Sequence, residues 1–544
     1  MRRMTTQITG LLALVLADFA PASAQMATPD EARNVAANWI ALTIHQRGDW
    51  DGFESAAVTA VEELRRGDRV LGYFCRVMPR GYVVTSLRKE LAAVKAFSAT
   101  CDLQPEVDRG LTDVIKGGME RMLDSIEKQL GPIESVQTAD LLQILEIDYS
   151  SSWRLLGRDV SDFAQLLESG GPRIDYQEGG ILLSSSWHQH APYNALCPTG
   201  DTGCTDCCPA DPNNICFPTF PTLVGCVATA GAQIMRHWAW PPYGSGSHSY
   251  TWDGDDSCGN NVGGGTLNAT FSDRYDWPGM ANRYVWDPND ARWEDDTGNP
   301  LTQAQLDAVA ELCYEVAVAV EMDFGVCGSG ANTDEMEGVY EDHCRYSDQC
   351  RRQDRIWFSA QDWFDAMVSQ FNRNRPVQYR VPGHSIVGDG WQIVGSLRQY
   401  HMNYGWDGVV PDEPEWAGYT TSNTWYTLDA LPGSGPLDEY MLEDIYPARA
   451  LGHNPEGVYE ADPGFPYRYF DRDATANWAW FGSGHRLQFL PHVTVTCGGV
   501  GGSIGFHGYS PTHTRLFTRG DESRGVRIHD GKIVLYTGGS IVFR

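Results

Sequence analysis

The sequence predicts an α+β protein of several domains, and three observations support this fold class. The chain has 544 residues, whereas one domain usually holds about 100–200. Stretches with apolar residues three and four positions apart, as in 111–130, are typical of helices, and strand-like runs such as 70–77 and 397–403 occur between them. Finally, the last residues, about 90 of them, alternate apolar and polar positions between glycine-rich turns, which predicts a β-rich region.

Composition and charge limit the possible functions. Hydrophobic residues make up 42% of the chain, which is typical of a globular protein. Asp and Glu number 71 against 41 Lys and Arg, a formal net charge of −30. Because a polyanion would be repelled by this charge, we expect neither nucleic acid nor an anionic membrane surface as a partner.

The N-terminus has the features of an export signal. Arg2 and Arg3 precede an apolar stretch at 11–16, and Ala22-Ser23-Ala24 offers the small residues that a signal peptidase prefers. We therefore expect residues 1–24 to be a signal peptide and the protein to be secreted, either outside the cell or into the periplasm. The apolar stretch is too short to span a bilayer, and no later run reaches about 18 apolar residues, so no membrane insertion is expected.

Fourteen cysteines fit an exported protein, because thiols pair in oxidising compartments. Five of them crowd into the loop 197–216, where we expect disulfides rather than a zinc site, since no second pair has zinc-finger spacing. Cys75 and Cys101 lie in one small unit and could pair with each other. We expect neither a metal site nor a cofactor.

The elements fall into four regions. Residues 25–175 contain a helix at 32–42, a strand pair at 70–77 and 81–86, and the helix at 111–130; from about 150 to 180 we expect an exposed connector rich in glycine. Residues 176–450 contain helices after Cys226 and near 301–320 and 360–371, with strands around 376–380, 385–388 and 397–403. Residues 451–544 form the β-rich region, and residues 1–24 the signal peptide.

The segment with the clearest chemical signal begins at Gly225-Cys226. Small residues follow the cysteine and permit a tightly packed helix. A cysteine at the start of a helix faces the positive end of the helix dipole, which favours its thiolate. A buried structural cysteine or one more disulfide partner would give the same local pattern.

Two later segments favour catalysis. His384 follows Gly383 and begins a strand-like run, and Asn403 follows about twenty residues later. The order Cys, His, Asn suits a thiolate–imidazolium pair whose ring is oriented by an amide oxygen, as in papain-type catalysis.

These motifs resemble those of the streptopain-like cysteine peptidases, a secreted bacterial family. The similar segments are Gly-Cys-Val-Ala-Thr-Ala at 225–230 with Ala-Gln-Ile-Met at 232–235, Gly-His at 383–384 with Asp-Gly at 389–390, Asn-Tyr-Gly-Trp at 403–406, and Trp-His-Gln at 187–189. The resemblance implies a papain-like fold for 176–450 and an inhibitory propeptide for 25–175. The C-terminal region lies outside it.

The resemblance also implies residue roles. Cys226 would be the nucleophile, His384 the proton acceptor and later donor, and Gln189 the side-chain donor that stabilises the oxyanion together with the Cys226 N–H. Asn403 would orient the histidine. The substrate cleft would be lined by Gly383, Ser329, Gly330, Tyr404 and Trp406. The family usually has Trp at the position of Tyr404, so the aromatic wall beside His384 is smaller here.

The sequence leads to a functional hypothesis with two alternatives. The leading one is a cysteine endopeptidase without metal or cofactor, acting on proteins or peptides and made as a zymogen that its own propeptide inhibits. We expect maturation somewhere in 172–180. The alternatives are a non-catalytic exported adhesin, and a cysteine-dependent acyl or amide transferase that would use the same residues.

Overall fold

The structure, a computed structural model, describes residues 25–446 except 109, 177–179, 202–218, 242, 258–260, 278, 407–422 and 430–438, and beyond 446 only the backbone of short strands. The predicted signal peptide therefore lies outside the described residues. Within them, no helix combines the length and the apolar character needed to cross a bilayer.

The helices are α1 (Pro29–Arg47), α2 (Gly110–Leu130), α3 (Thr138–Ile144), α4 (Ser150–Leu156), α5 (Val160–Glu168), α6 (Cys226–Trp238), α7 (Gln303–Ala319), α8 (Met336–Gly338) and α9 (Ala360–Asn372). Short 3₁₀ turns occur at Thr333–Glu335 and Arg355–Trp357, and a π turn at Val339–His343.

The strands up to residue 446 are β1 (Ala57–Arg66), β2 (Arg69–Met78), β3 (Tyr82–Ser86), β4 (Ala96–Ser98), β5 (Asp175–Tyr176), β6 (Thr199–Asp201), β7 (Thr219–Pro221), β8 (Ser247–Asp255), β9 (Val262–Thr270), β10 (Val285–Asp287), β11 (Arg292–Glu294), β12 (Arg351–Asp354), β13 (Val377–Val381), β14 (His384–Val394), β15 (Leu397–Asn403), β16 (Thr424–Thr427) and β17 (Tyr440–Glu443). The C-terminal strands are β18 (Arg468–Tyr469), β19 (Ala479–Gly482), β20 (Arg486–Phe489), β21 (Thr494–Gly498), β22 (Gly502–Phe506), β23 (Leu516–Phe517), β24 (Val526–His529), β25 (Lys532–Leu535) and β26 (Ser540–Phe543).

The predicted α+β class is confirmed. Helices and antiparallel strands coexist between residues 25 and 446, and the C-terminal strands form two antiparallel sheets, as the alternating pattern predicts. Local signals fix several ends. At the start of α1, Thr28 and Glu31 form a capping box, and Gly48 ends the helix in the left-handed conformation.

One large sheet joins the first region to the second. Its strand order is β1-β2-β3-β4-β16-β15-β14-β13-β17-β12, and β5 pairs with β14 at one side. The junction is the antiparallel pair of β4 with β16, where Phe97 is opposite Trp425 and their rings stack at 6.2 Å between centroids. A single hydrophobic core accordingly includes residues of both regions. The boundaries between the four regions stay predictions.

A second core lies beneath the helix that begins at Cys226. Helices α6 and α7 pack against each other, and Val227, Ala228, Val316 and Val387 are buried within this cluster. The small residues at 228–232 permit the close contact. Gly231 illustrates this, because a Cβ there would lie 2.5 Å from the methyl group of Met336.

The structure differs from two sequence-based interpretations of the first region. The connector is shorter than predicted, because α4 and α5 occupy much of 150–168; their buried residues Trp153 and Phe163 pack into the core of the first region. Cys75 and Cys101 are not joined, and the Cys75 thiol instead donates to the Ala32 carbonyl at 3.6 Å.

The cysteine-rich loop lies mostly outside the described residues. Its first member, Cys197, is a buried thiol and not the disulfide partner that we expected. Cys327, two residues before Ser329 of the predicted substrate cleft, does take part in a disulfide.

Candidate active site

Cys226 is the first residue of α6, and its position depends on the glycine before it. Gly225 has φ of +86°, and a Cβ at this position would lie 2.4 Å from the sulfur of Met322. Only glycine therefore fits both the conformation and the space. The Gly225 carbonyl begins the helix by accepting from the Thr229 N–H at 3.0 Å.

The Cys226 thiol faces the strand that starts with His384. Its Sγ accepts from the Ser385 backbone N–H at 3.4 Å. Burial raises the pKa of the Cys226 thiol, while the Ser385 N–H, the charge of Arg380 and the N–H groups of Cys226 and Val227 lower it. The sequence predicted a favoured thiolate from the helix dipole. In this structure burial outweighs these groups, so the thiol form is favoured instead.

His384 is 5% exposed, and its ring is held from two sides. Its Nε2 lies 2.8 Å from the Tyr404 carbonyl oxygen, and its ring stacks on Trp406 with centroids 3.9 Å apart. Since a carbonyl can only accept, Nε2 carries the hydrogen and Nδ1 keeps a lone pair. Burial lowers the pKa of His384 to about 4, the Arg380 charge lowers it further, and the Tyr404 carbonyl opposes the shift.

The ring of His384 is thus oriented by a backbone carbonyl, whereas we expected the Asn403 side chain. Asn403 Nδ2 donates to the Ser185 carbonyl and to Gln233 Oε1, both at 3.0 Å. Its Oδ1 accepts from the Gly405 N–H at 3.0 Å. Asn403 therefore stabilises the turn that presents the Tyr404 carbonyl. Its effect on the orientation of His384 is indirect, through this carbonyl.

Gln189 and the predicted cleft residues Ser329 and Gly330 lie beside the segment before Cys226. Gln189 is buried, and its backbone carbonyl accepts from the Val224 N–H at 3.1 Å, which fixes it beside the nucleophile segment. Ser329 Oγ donates to the Leu223 carbonyl at 2.8 Å, and Gly330 pairs with Asp323. Gly383 has φ of +73° in the turn before His384.

The structure thus brings the predicted residues to one place around α6 and the start of β14. Tyr404 is buried, with its ring parallel to that of His384 at 6.4 Å, and Trp406 covers the imidazole. The roles assigned to these nine residues stay predictions, except that the hydrogen bonds of Asn403 orient His384 through the Tyr404 turn and not directly.

Sequence reasoning missed the role of Gln233. This side chain is fully buried on α6, and its Oε1 accepts from the Trp187 N–H at 3.0 Å as well as from Asn403. It therefore joins three segments of the site: the helix of Cys226, the segment of Gln189 and the turn of Tyr404. A polar residue among small apolar ones, seven positions after the cysteine, was the available signal.

Among the described residues, one group of carboxylates is close enough together to hold a metal ion. Asp287, Asp290 and Glu294 could place one oxygen each within 4.8 Å of one another. Arg292, however, forms ion pairs with Asp290 and Glu294, so this group is already partly neutralised. These three acids lie in the β10–β11 hairpin, in which no other feature indicates a bound ligand.

Comparison with known proteins gives a consistent result. Residues 187–412 match the sequence model of the Peptidase C10 family. The thiol protease/hemagglutinin PrtT of Porphyromonas gingivalis is 25% identical over 299 residues, which is 54% of this chain and 28% of PrtT. Streptopain of Streptococcus pyogenes is 25% identical over 250 residues, 45% of this chain and 54% of streptopain. The chain thus matches about half of streptopain and less of PrtT.

Among solved structures, a prointerpain A fragment of Prevotella intermedia aligns with a TM-score of 0.48 at 20% identity, covering 71% of this chain and 98% of that one. Active interpain A of the same organism aligns with a TM-score of 0.33 at 21% identity, covering 49% and 95%. The part of the chain that carries Cys226, His384 and Asn403 is therefore similar to the Peptidase C10 family and to streptopain, as the sequence motifs predict.

Proposed function

We propose that this protein is a secreted bacterial cysteine endopeptidase, made as a precursor and acting through an acyl-enzyme on Cys226. The observation that carries the proposal is the contact of the Cys226 Sγ with the backbone next to His384. It places a thiol at a helix N-terminus against a histidine whose Nδ1 is available as a base.

The reaction follows from these positions. His384 Nδ1 takes the thiol proton as Cys226 Sγ attacks the carbonyl carbon of the scissile peptide bond. The oxyanion is stabilised by the Cys226 N–H, which is unpaired within the helix because it belongs to the first turn, and by the Gln189 amide. His384 then protonates the leaving amine, and water hydrolyses the thioester by the reverse sequence.

Two features support a precursor. The region 25–175 adds strands to the sheet of the second region through the β4–β16 pair, and burial keeps Cys226 and His384 in the uncharged forms. We place the maturation cut within 172–180. Tyr176 is 49% exposed there, whereas Ile174 is 5% exposed, so a bond after Asp175 or later is more accessible than one at Ile174.

Export rests on the signal at 1–24, and extracellular action would allow disulfides such as that of Cys327 to persist. Protein or peptide substrates and the protein's own propeptide are the expected partners.

The first test compares Cys226→Ala with Cys75→Ala, which removes another buried thiol of the precursor. Cys226→Ala should abolish casein hydrolysis and stay full length, while Cys75→Ala should mature and cleave casein as the wild type does. Comparable casein cleavage by Cys226→Ala would contradict the assignment.

The second test concerns the reaction type and the cut. Mass analysis of the casein products with added amines separates hydrolysis from transfer to the amine, and dominant amide products would favour a transferase. N-terminal sequencing of the activated protein should give a start within 172–180. A fully active protein that still begins at Gln25 would contradict the zymogen.

A further inference from the structure

Helix α2 of the proposed propeptide covers one face of the central sheet and leaves a cavity there. Val114, Gly118 and Arg121, spaced four and three residues apart, present one side of the helix to it. The cavity holds about 510 Å³ of empty space, including open solvent at its mouth. The opposite wall contains four tyrosines of the second region: Tyr379, Tyr400, Tyr404 and Tyr426.

This wall extends toward the proposed base. Tyr379, Tyr400 and Tyr426 form a row across β13, β15 and β16, with neighbouring ring centroids 6.3 and 6.1 Å apart. Pro382, two residues before His384, also lines the cavity, as does Tyr404, whose ring is parallel to that of His384.

At one end of the row, a lysine of the first region occupies a well-defined site. The Lys95 Nζ donates to the Thr427 carbonyl at 3.0 Å, forms an ion pair with Asp429 and lies 4.2 Å from the centre of the Tyr426 ring. Its side chain is 5% exposed. A carboxylate, a carbonyl and an aromatic face are the groups that bind an ammonium group, and all three come from the second region.

The same place offers backbone hydrogen bonds. Lys95 precedes β4, which is the neighbour of β16 on the side opposite β15. The Thr427 N–H donates to the Lys95 carbonyl at 2.8 Å, so the first region is bound here as an added strand. Departure of residues 25–175 would leave β16 as an edge strand with unpaired backbone groups, the kind of template that binds an extended peptide.

Departure would also leave acidic charge without its partners. The propeptide residue Lys95 interacts with Asp429 and Glu439, and the propeptide residue Arg121 acts on Glu439 together with Arg355 of the second region. Asp429 would lose the Lys95 ion pair altogether. A neutral segment in place of β4 would leave that carboxylate unpaired, whereas a lysine would restore the contact.

We propose that in the matured enzyme Tyr426, Thr427 and Asp429 bind a lysine side chain of an extended substrate segment, which adds to β16 in the place of β4. This proposal rests on the proposed peptidase function. It adds a preference for a basic substrate residue at a distance from the scissile bond. The net charge of the whole chain does not indicate where on the enzyme such a residue would bind.

The test uses pairs of extended peptides that differ only in lysine or norleucine at one position, moved stepwise along the peptide. Full-length protein is carried through activation, and removal of the 25–175 fragment is checked by gel filtration. The proteins compared are the wild type, Asp429→Asn, the charge-preserving Asp429→Glu, and Asp307→Asn as the control. Asp307 is an exposed acid on α7 that contacts Gln303.

For the wild type we expect the lysine peptide to exceed the norleucine peptide about fivefold in kcat/KM at one position, the range of a partly exposed charge pair. The ratio should fall toward one in Asp429→Asn and in high salt, and should persist in Asp429→Glu and Asp307→Asn.

Any other result would contradict the proposal. Cleavage by the wild type without a lysine preference, or a preference that survives in Asp429→Asn, would overturn it and leave the peptidase function intact. A retained 25–175 fragment or a second copy of the chain at this edge would identify a different occupant and overturn it. Failure to cleave any peptide would overturn the proposed peptidase function and this inference with it.

Discussion

The substitution Gln233→Leu tests whether one buried amide holds the candidate site together. Gln233 Oε1 accepts from the Trp187 N–H and from Asn403 Nδ2, both at 3.0 Å, and from Ser185 Oγ at 3.3 Å. Its Nε2 donates to Asn403 Oδ1 at 3.2 Å. Leucine fills much of the volume but removes all four hydrogen bonds.

The magnitude follows from the groups that are left unpaired. Asn403 keeps its bonds to the Ser185 carbonyl and the Gly405 N–H, so its loss is partial, whereas the Trp187 N–H loses the acceptor described for it. An unsatisfied buried donor costs about 1–3 kcal/mol, and both the Trp187 N–H and the Ser185 hydroxyl lose this acceptor, so we expect the free energy of unfolding to fall by about 2–6 kcal/mol. Gln233→Glu retains the acceptor and should lie between leucine and the wild type.

The assay is urea unfolding in the Cys226→Ala background, which prevents self-cleavage, together with amide hydrogen exchange. Exchange should accelerate in the peptides that contain Trp187 and Gly405. Gln303→Leu is the control, because the hydrogen bond described for that exposed amide is to an exposed acid, and its loss should change stability by less than about 0.5 kcal/mol. Equal effects of Gln233→Leu and Gln303→Leu would refute the reasoning.

Three further predictions concern the precursor. Alkylation of Cys226, corrected with the Cys226→Ala protein, should be slow at pH 6 and rise only in the alkaline range, because burial raises the thiol pKa; a plateau from pH 6 upward would contradict this. Trp406→Ala should raise the pKa of His384 from about 4 toward about 6.5 by exposing the imidazole, measured by NMR titration, and an unchanged pKa would be evidence against burial as the cause. Gly118→Leu should weaken the docking of α2 by about 1–3 kcal/mol, because a Cβ there meets Tyr426 Oη at 2.6 Å; the precursor should then mature faster, and an unchanged rate would show that this contact does not limit maturation.

The sequence by itself determined the α+β class, the five longest of the described helices, some of the strands, and most of the residues that lie around the candidate site. These are local properties: the spacing of apolar residues, the Gly225-Cys226 junction and the Gly383-His384 turn each depend on neighbours within a few positions. The helix positions near 111–130 and 360–371 agree with α2 and α9 because amphipathic periodicity reports the buried face directly.

Only the tertiary structure decided how these pieces act on one another. Burial reverses the pKa shift that the helix dipole alone predicts for Cys226, since desolvation depends on residues far away in the chain. The Tyr404 carbonyl, not the Asn403 amide, orients His384, because backbone groups have no signature in the sequence. The β4–β16 pair joins positions more than 300 residues apart, so neither the shared sheet nor the lysine site at Asp429 could be inferred from local patterns.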